Sequence, residues 1–187
     1  SWTGVAYNAF KDEGNDAGGK KFFGEINLWL QNGASWTNEA WGEPPDAYFG
    51  EDFSESHLKR LVGGESADKA GHIFQKPGED EDSEGINIRV DDYKGFTNIY
   101  YGHKEEKPTD ILGGTFTVTK AQPGSGINLI TDSKGLNVDS SKAADKNLAS
   151  ETLNALANKL FYTAYKNGET NPVSYTHLRA HETDQYL

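Results

Sequence analysis

The apolar residues of this chain come in short alternating runs, each cut off by glycine or asparagine. Glu25–Leu30 puts Ile26, Leu28 and Leu30 on one face and Trp29 on the other. Gly85–Val90 repeats the pattern with Ile86, Ile88 and Val90 inward. Phe96–Tyr101, Thr115–Thr119 and Ile127–Ile130 follow, and Leu136–Val138 closes the series. A period of two bounded by turn residues marks strands, because successive Cβ atoms point to opposite faces of a sheet. The turns are written as Gly63-Gly64, Gly113-Gly114, Pro123-Gly124-Ser125-Gly126 and Lys134-Gly135. Such a chain is mainly β. Many short strands in series fit a sandwich, a barrel or a solenoid. No strict repeat length separates the three, although a solenoid rung needs only inward apolar residues and a corner.

Composition narrows what this β-rich chain can do. Its net charge of −11 repels phosphate backbones, so nucleic acid is not an expected partner. No apolar run approaches the roughly 18 residues that span a bilayer. The 187 residues contain no cysteine, so packing has to come from apolar side chains or stacked repeats. Nine Tyr, nine Phe and four Trp argue against disorder, which goes with a poverty of aromatics.

One helix is expected, over Ser150–Asn167. Leu153, Leu156, Ala157, Leu160 and Ala164 recur at the spacing of an apolar stripe, which Phe161 and Tyr165 broaden. Ser150 suits the N-cap and Gly168 the C-terminal stop. A helix of this kind packs on the flank of a sheet.

The run Thr152-Leu-Asn-Ala-Leu-Ala-Asn-Lys-Leu-Phe-Tyr-Thr-Ala-Tyr-Lys-Asn-Gly-Glu-Thr-Asn171 resembles a segment of the passenger regions of bacterial autotransporters. Close resemblance covers Leu148–Asn171. The upstream runs Gly114–Thr119 and Gly126–Ile130 are similar in texture to passenger rungs, as is the freedom from cysteine. The resemblance implies a right-handed β-helix, or solenoid, with one amphipathic α-helix on its flank. It also implies display at the bacterial cell surface, with membrane attachment only through a C-terminal β-barrel that this sequence lacks. It supplies no catalytic residues. The function implied is adhesion or display without turnover, with a host surface or a polysaccharide as possible ligand.

The run Val173–Thr183 is similar, residue for residue, to one reading frame of a transposase adapter used in DNA library preparation. With an opening Ser1 and no Met, this gives the expectation of a metagenomic fragment cut at both ends. The expected organisation is a β-rich passenger segment over 1–146, a helix and the start of the next rung over 147–171, and an unstructured artefact over 172–187.

Candidate chemistry is sparse. Asp80, Asp82 and Glu84 occupy the first, third and fifth places of a calcium loop, with Gly85 sixth and Asp91 twelfth. Glu84 is long for its place, Asp91 stands where a bidentate Glu is usual, and Pro77 and Gly78 deny the loop an entering helix. A solvated acidic loop is therefore preferred, and weak Ca²⁺ binding is the only cofactor expectation. His57, His72 and His103 are too far apart in sequence for a zinc motif. Ser56-x-x-Lys59 and Ser66-x-x-Lys69 both match a minimal Ser/Lys nucleophile, and neither brings the partners that chemistry requires. Asp91 and Asp92 are adjacent, so in a regular strand they face opposite ways and cannot pair without a bulge. Arg89 and Asp91 share a face, as in an exposed ion pair.

Trp29, Trp36 and Trp41, with Tyr48 and Phe49, form the richest aromatic region. They fit an aromatic cluster under a loop, or a platform that stacks on sugar rings. Two further readings therefore stand beside the passenger: a carbohydrate-active β-helix, lyase or hydrolase, and a calcium-stabilised extracellular module.

Overall fold

The computed structural model describes residues 1–6, 25–39, 55–78, 85–136, 138–139, 141–162 and 176–180, with Tyr162 and 176–180 described by backbone alone. Its strands are β1 (Trp2–Thr3), β2 (Asn27–Trp29), β3 (Ser35–Asn38), β4 (Glu55–Val62), β5 (Gly71–Gln75), β6 (Asn87–Lys94), β7 (Phe96–Lys104), β8 (Lys107–Leu112), β9 (Phe116–Ala121), β10 (Gly126–Thr131), β11 (Leu160–Tyr162) and β12 (Thr176–Ala180). One helix, α1, spans Ala143–Ala157.

The strands form two parallel sheets. The first runs β1-β3-β5-β7-β10-β12, and the second runs β11-β9-β6-β4-β2. The chain crosses from one sheet to the other at each step, except that β8 folds back antiparallel on the end of β7. Side-chain partners on neighbouring strands lie 28 to 37 residues apart in sequence.

Register explains the core. In the first sheet Trp36, Ile73, Ile99 and Leu129 stand in one ladder, and all four are fully buried. In the second, Ile88 pairs with Phe116 and Leu58 with Val90 and Val118, again without exposure. These residues join Leu61 and Tyr93 in one cluster between the sheets. Each such aliphatic side chain contributes about 1.5–3 kcal/mol by leaving water. Because the sheets are parallel and strongly pinned by these ladders, a one-residue slip in any strand would turn a buried ladder outward.

β4, β6 and β9 share a bend. Leu58 and Leu61 point inward with Lys59 and Arg60 both outward between them, and Val90, Asp91, Asp92, Tyr93 repeat this. Val118, Thr119, Lys120, Ala121 do so a third time. At β4 the N–H groups of Lys59 and Arg60 both donate to the Ile26 carbonyl, at 2.9 and 3.4 Å, the hydrogen-bond pattern of a bulge. This corrects the expectation that Asp91 and Asp92 face opposite ways.

Three other expectations change. The helix begins at Ala143 and ends at Ala157, so Ser150 lies inside it and Lys142 occupies the N-cap. Leu160 and Phe161 belong instead to β11, which β9 templates through Phe116 and Thr117. Aromatic residues beside an open parallel edge gain more from the ladder than from another helical turn. Ala164, Tyr165 and Gly168 lie outside the described residues. Leu136 and Val138, expected in a strand, belong to none, while Asn137 lies outside the described residues. Within the tail expected to be unstructured, Thr176–Ala180 pairs in parallel with β10.

Glycine is required at two close approaches of the backbone. A Cβ on Gly64 would run into the Lys69 carbonyl, and one on Gly114 into the Ile86 carbonyl.

Candidate functional site

The outer faces of the two sheets differ in chemistry. On the second sheet the outward residues form an ionic ladder. Arg60 lies in register with Asp92, and Asp92 with Lys120, so charge alternates from strand to strand. Arg60 Nε donates to Asp92 Oδ2 at 3.2 Å, and Arg89 Nε lies 3.3 Å from Glu55 Oε1. Opposite charges across a ladder stabilise the pairing where like charges would weaken it.

His57 sits at the centre of this ladder. Arg89 Nη2 donates to its Nδ1 at 3.1 Å, which fixes the proton of the neutral ring on Nε2. That N–H donates to Asp91 Oδ1 at 2.9 Å, while Lys59 Nζ lies 3.6 Å from Asp91 Oδ2. Both imidazole nitrogens and both carboxylate oxygens are engaged within the ladder. The group has the composition of an acid–base pair but leaves no ring nitrogen for a substrate. Asp91, the twelfth place of the expected calcium loop, is thus engaged by the His57 N–H on one oxygen and lies beside the Lys59 ammonium on the other. Asp80, Asp82 and Glu84 lie outside the described residues. Among the described residues no three His, Asp or Glu side chains stand together as a metal would need.

The tryptophans separate. Trp36 is fully buried, its Nε1–H donating to the Gly4 carbonyl at 2.8 Å and its ring stacked on Trp2 at 5.5 Å. This corrects its assignment to a sugar-binding platform, because a ring with no exposed face cannot stack on a ligand. Trp29 is 54% exposed at the edge of the second sheet. Trp41 lies outside the described residues.

The first sheet carries the concave surface. Phe74, Tyr100 and Ile130 stand in register on the outward side of β5, β7 and β10. The Phe74 and Tyr100 rings stack at 4.7 Å with an interplanar angle of 17°. His72 Nδ1 lies 3.0 Å from the Tyr100 hydroxyl and tethers the tip of that ring. Beside it Asn128 Nδ2 donates to Asn98 Oδ1 at 2.7 Å. A cavity of about 350 Å³ opens at the ends of these strands, walled by the Phe74–Tyr100 stack, Ile130, Lys76, Gly102 and Asp132. A Cβ on Gly102 would meet nothing within 4 Å, so the missing side chain leaves the floor open. At the rim His103 Nδ1 lies 3.1 Å from Asp132 Oδ1.

Behind the cavity is a buried polar stack. Asn38 Nδ2 donates to Gln75 Oε1 at 2.8 Å and to the Ile86 carbonyl at 2.7 Å, and Ser56 Oγ donates to Asn38 Oδ1 at 2.7 Å. Gln75 Nε2 donates to the Gly114 carbonyl at 3.2 Å. The next residue of this ladder, Tyr101, buries its hydroxyl beside Gln75 without completing a hydrogen bond. Burial pushes its phenol well above the ordinary range, since the phenolate could not be solvated there. Asn38 and Gln75 carried no signal in the sequence. Tyr100 was visible only as an aromatic in a strand-like run, and Phe74 carried no signal at all.

No protein-family model, curated protein or solved structure matches the chain.

Proposed function

We propose that the chain is a stretch of right-handed β-helix from a surface-displayed bacterial passenger, which contacts other surfaces through its outward faces without turnover. The observation that carries this reading is the in-register parallel pairing of alternate strands into two sheets around one apolar core. A chain that returns to each sheet in sequence order winds as a solenoid, and a solenoid presents long faces suited to extended contact. The resemblance of Leu148–Asn171 to autotransporter passengers supports a place at the cell surface. The test is recovery of the complete coding sequence. A signal peptide and a terminal β-barrel are expected, and a complete gene without a barrel overturns the assignment.

The carbohydrate-active reading draws on one observation, the aromatic-walled cavity of the first sheet. Hydrolysis by the usual route needs two carboxylates about 5–10 Å apart. Asp132 is the only carboxylate among the described lining residues. The cavity therefore favours binding over turnover. The calcium-stabilised module is tested by melting in calcium against chelator, and a higher melting temperature with calcium returns Asp80, Asp82 and Glu84 to consideration.

A further inference from the structure

We propose that the cavity on the first sheet binds a neutral, β-linked hexose oligosaccharide. The proposal deepens the adhesive reading and rests on it in one respect, that the outer face binds rather than cleaves. Four features point to a sugar. One wall is the Phe74–Tyr100 stack, in which Phe74, covered by Tyr100 on one face, is still 38% exposed and offers apolar ring surface to the C–H side of a pyranose. Beside that wall stand Lys76 and Asp132, the latter paired with His103, polar groups able to meet ring hydroxyls. The volume of about 350 Å³ falls at the small end of ligand pockets, roughly 300–1,000 Å³, and far below a protein interface. Finally, the backbone N–H and C=O groups of β5, β7 and β10 are spent on their parallel neighbours, so a peptide could not add a strand across this face.

The class of sugar follows from shape and charge. The ladder from Phe74 to Ile130 crosses three strands, about 10 Å at the usual strand spacing, and runs straight. A straight, ribbon-like β-linked chain fits it better than a curled α-linked one. The lining holds one cation, Lys76, and one anion, Asp132. On a chain of net charge −11 it has no surplus positive charge with which to select an acidic polymer.

The test is calorimetric titration of the full 187-residue chain with cellohexaose, and with hexagalacturonate as the acidic control. Cellohexaose is expected to bind and the acidic oligomer not to. Gly102→Val should weaken binding about tenfold or more by filling the floor, with an unchanged melting temperature, because its Cβ meets open space. Tyr100→Ala should weaken it similarly, and Trp29→Ala should leave it unchanged. Absence of binding, insensitivity to Gly102→Val, loss on Trp29→Ala, or preference for the acidic oligomer overturns the proposal. Cellohexaose recovered intact after incubation supports binding without turnover. Cleaved product would sink the adhesive reading while leaving the ligand class of the cavity standing.

Discussion

Two buried polar residues behave in opposite ways, and both can be tested by a single substitution. Asn38 is fully buried, and its amide gathers Gln75, Ser56 and the Ile86 carbonyl. Asn38→Ala removes the partner of all three in a buried site, at about 1–3 kcal/mol for each group that finds no substitute. A fall in the urea midpoint of that size is expected. A double-mutant cycle with Gln75→Ala should show coupling above about 0.5 kcal/mol. Tyr101 is the converse, since its hydroxyl is buried without a hydrogen bond. Tyr101→Phe should therefore leave neutral-pH stability unchanged or raise it by about 1 kcal/mol. The same residue sets an alkaline limit. Its folded pKa is raised above the ordinary 10.0, so its contribution is whole below pH 10. Above that the unfolded chain ionises while the folded one holds its proton, and stability falls as pH rises. Chemical unfolding between pH 9 and 11 should show this decline in the native chain and a shallower one in Tyr101→Phe.

The elements show which sequence signals were sufficient. β2, β6, β7, β9 and β10 were legible because each opens on a clean alternation, as in Ile86, Ile88 and Val90. β4 was not, and its bend is the reason: two outward residues between Leu58 and Leu61 give a spacing of three, which imitates a helix rather than a strand. β3 and β5 hide because glycine, glutamine and asparagine fill inward places that only the polar stack makes tolerable. The helix was recognised as a helix but displaced. Its buried side includes Thr152, whose hydroxyl satisfies itself by donating to the Leu148 carbonyl at 2.8 Å, and a threonine carries no apolar signal. The cavity was missed because its floor residues lie on separate strands and its depth depends on the absent side chain of Gly102. Leu156 joins α1 to the core and is fully buried. Leu156→Ala should destabilise the chain by about 2–5 kcal/mol, and limited proteolysis should then cut first within Ala143–Ala157.

At the scale of the whole molecule, the sheets run on through interruptions. Between Tyr101 and Leu129 the chain makes the β7–β8 hairpin and crosses to β9, yet β10 returns to β7 in unshifted register from Gly126 to Thr131. An epitope inserted between Glu105 and Glu106, at the exposed tip of that hairpin, should cost less than about 1 kcal/mol. Thermal melting of the insertion variant against the parent checks this. Pairing between strands so distant in sequence also makes folding slow, on the scale of milliseconds to seconds, measurable by stopped-flow refolding.

The unshifted register has a consequence for how such a surface can change over time. The distance between any two outward side chains is set by how many strands separate them, at about 4.8 Å per strand, and not by how much chain connects them. Phe74, Tyr100 and Ile130 therefore keep their separation whatever is added to the excursions between them. Spacing and ornament are governed by different parts of the sequence. A lineage could lengthen its hairpins, or add helices, without detuning the interval between its outward side chains.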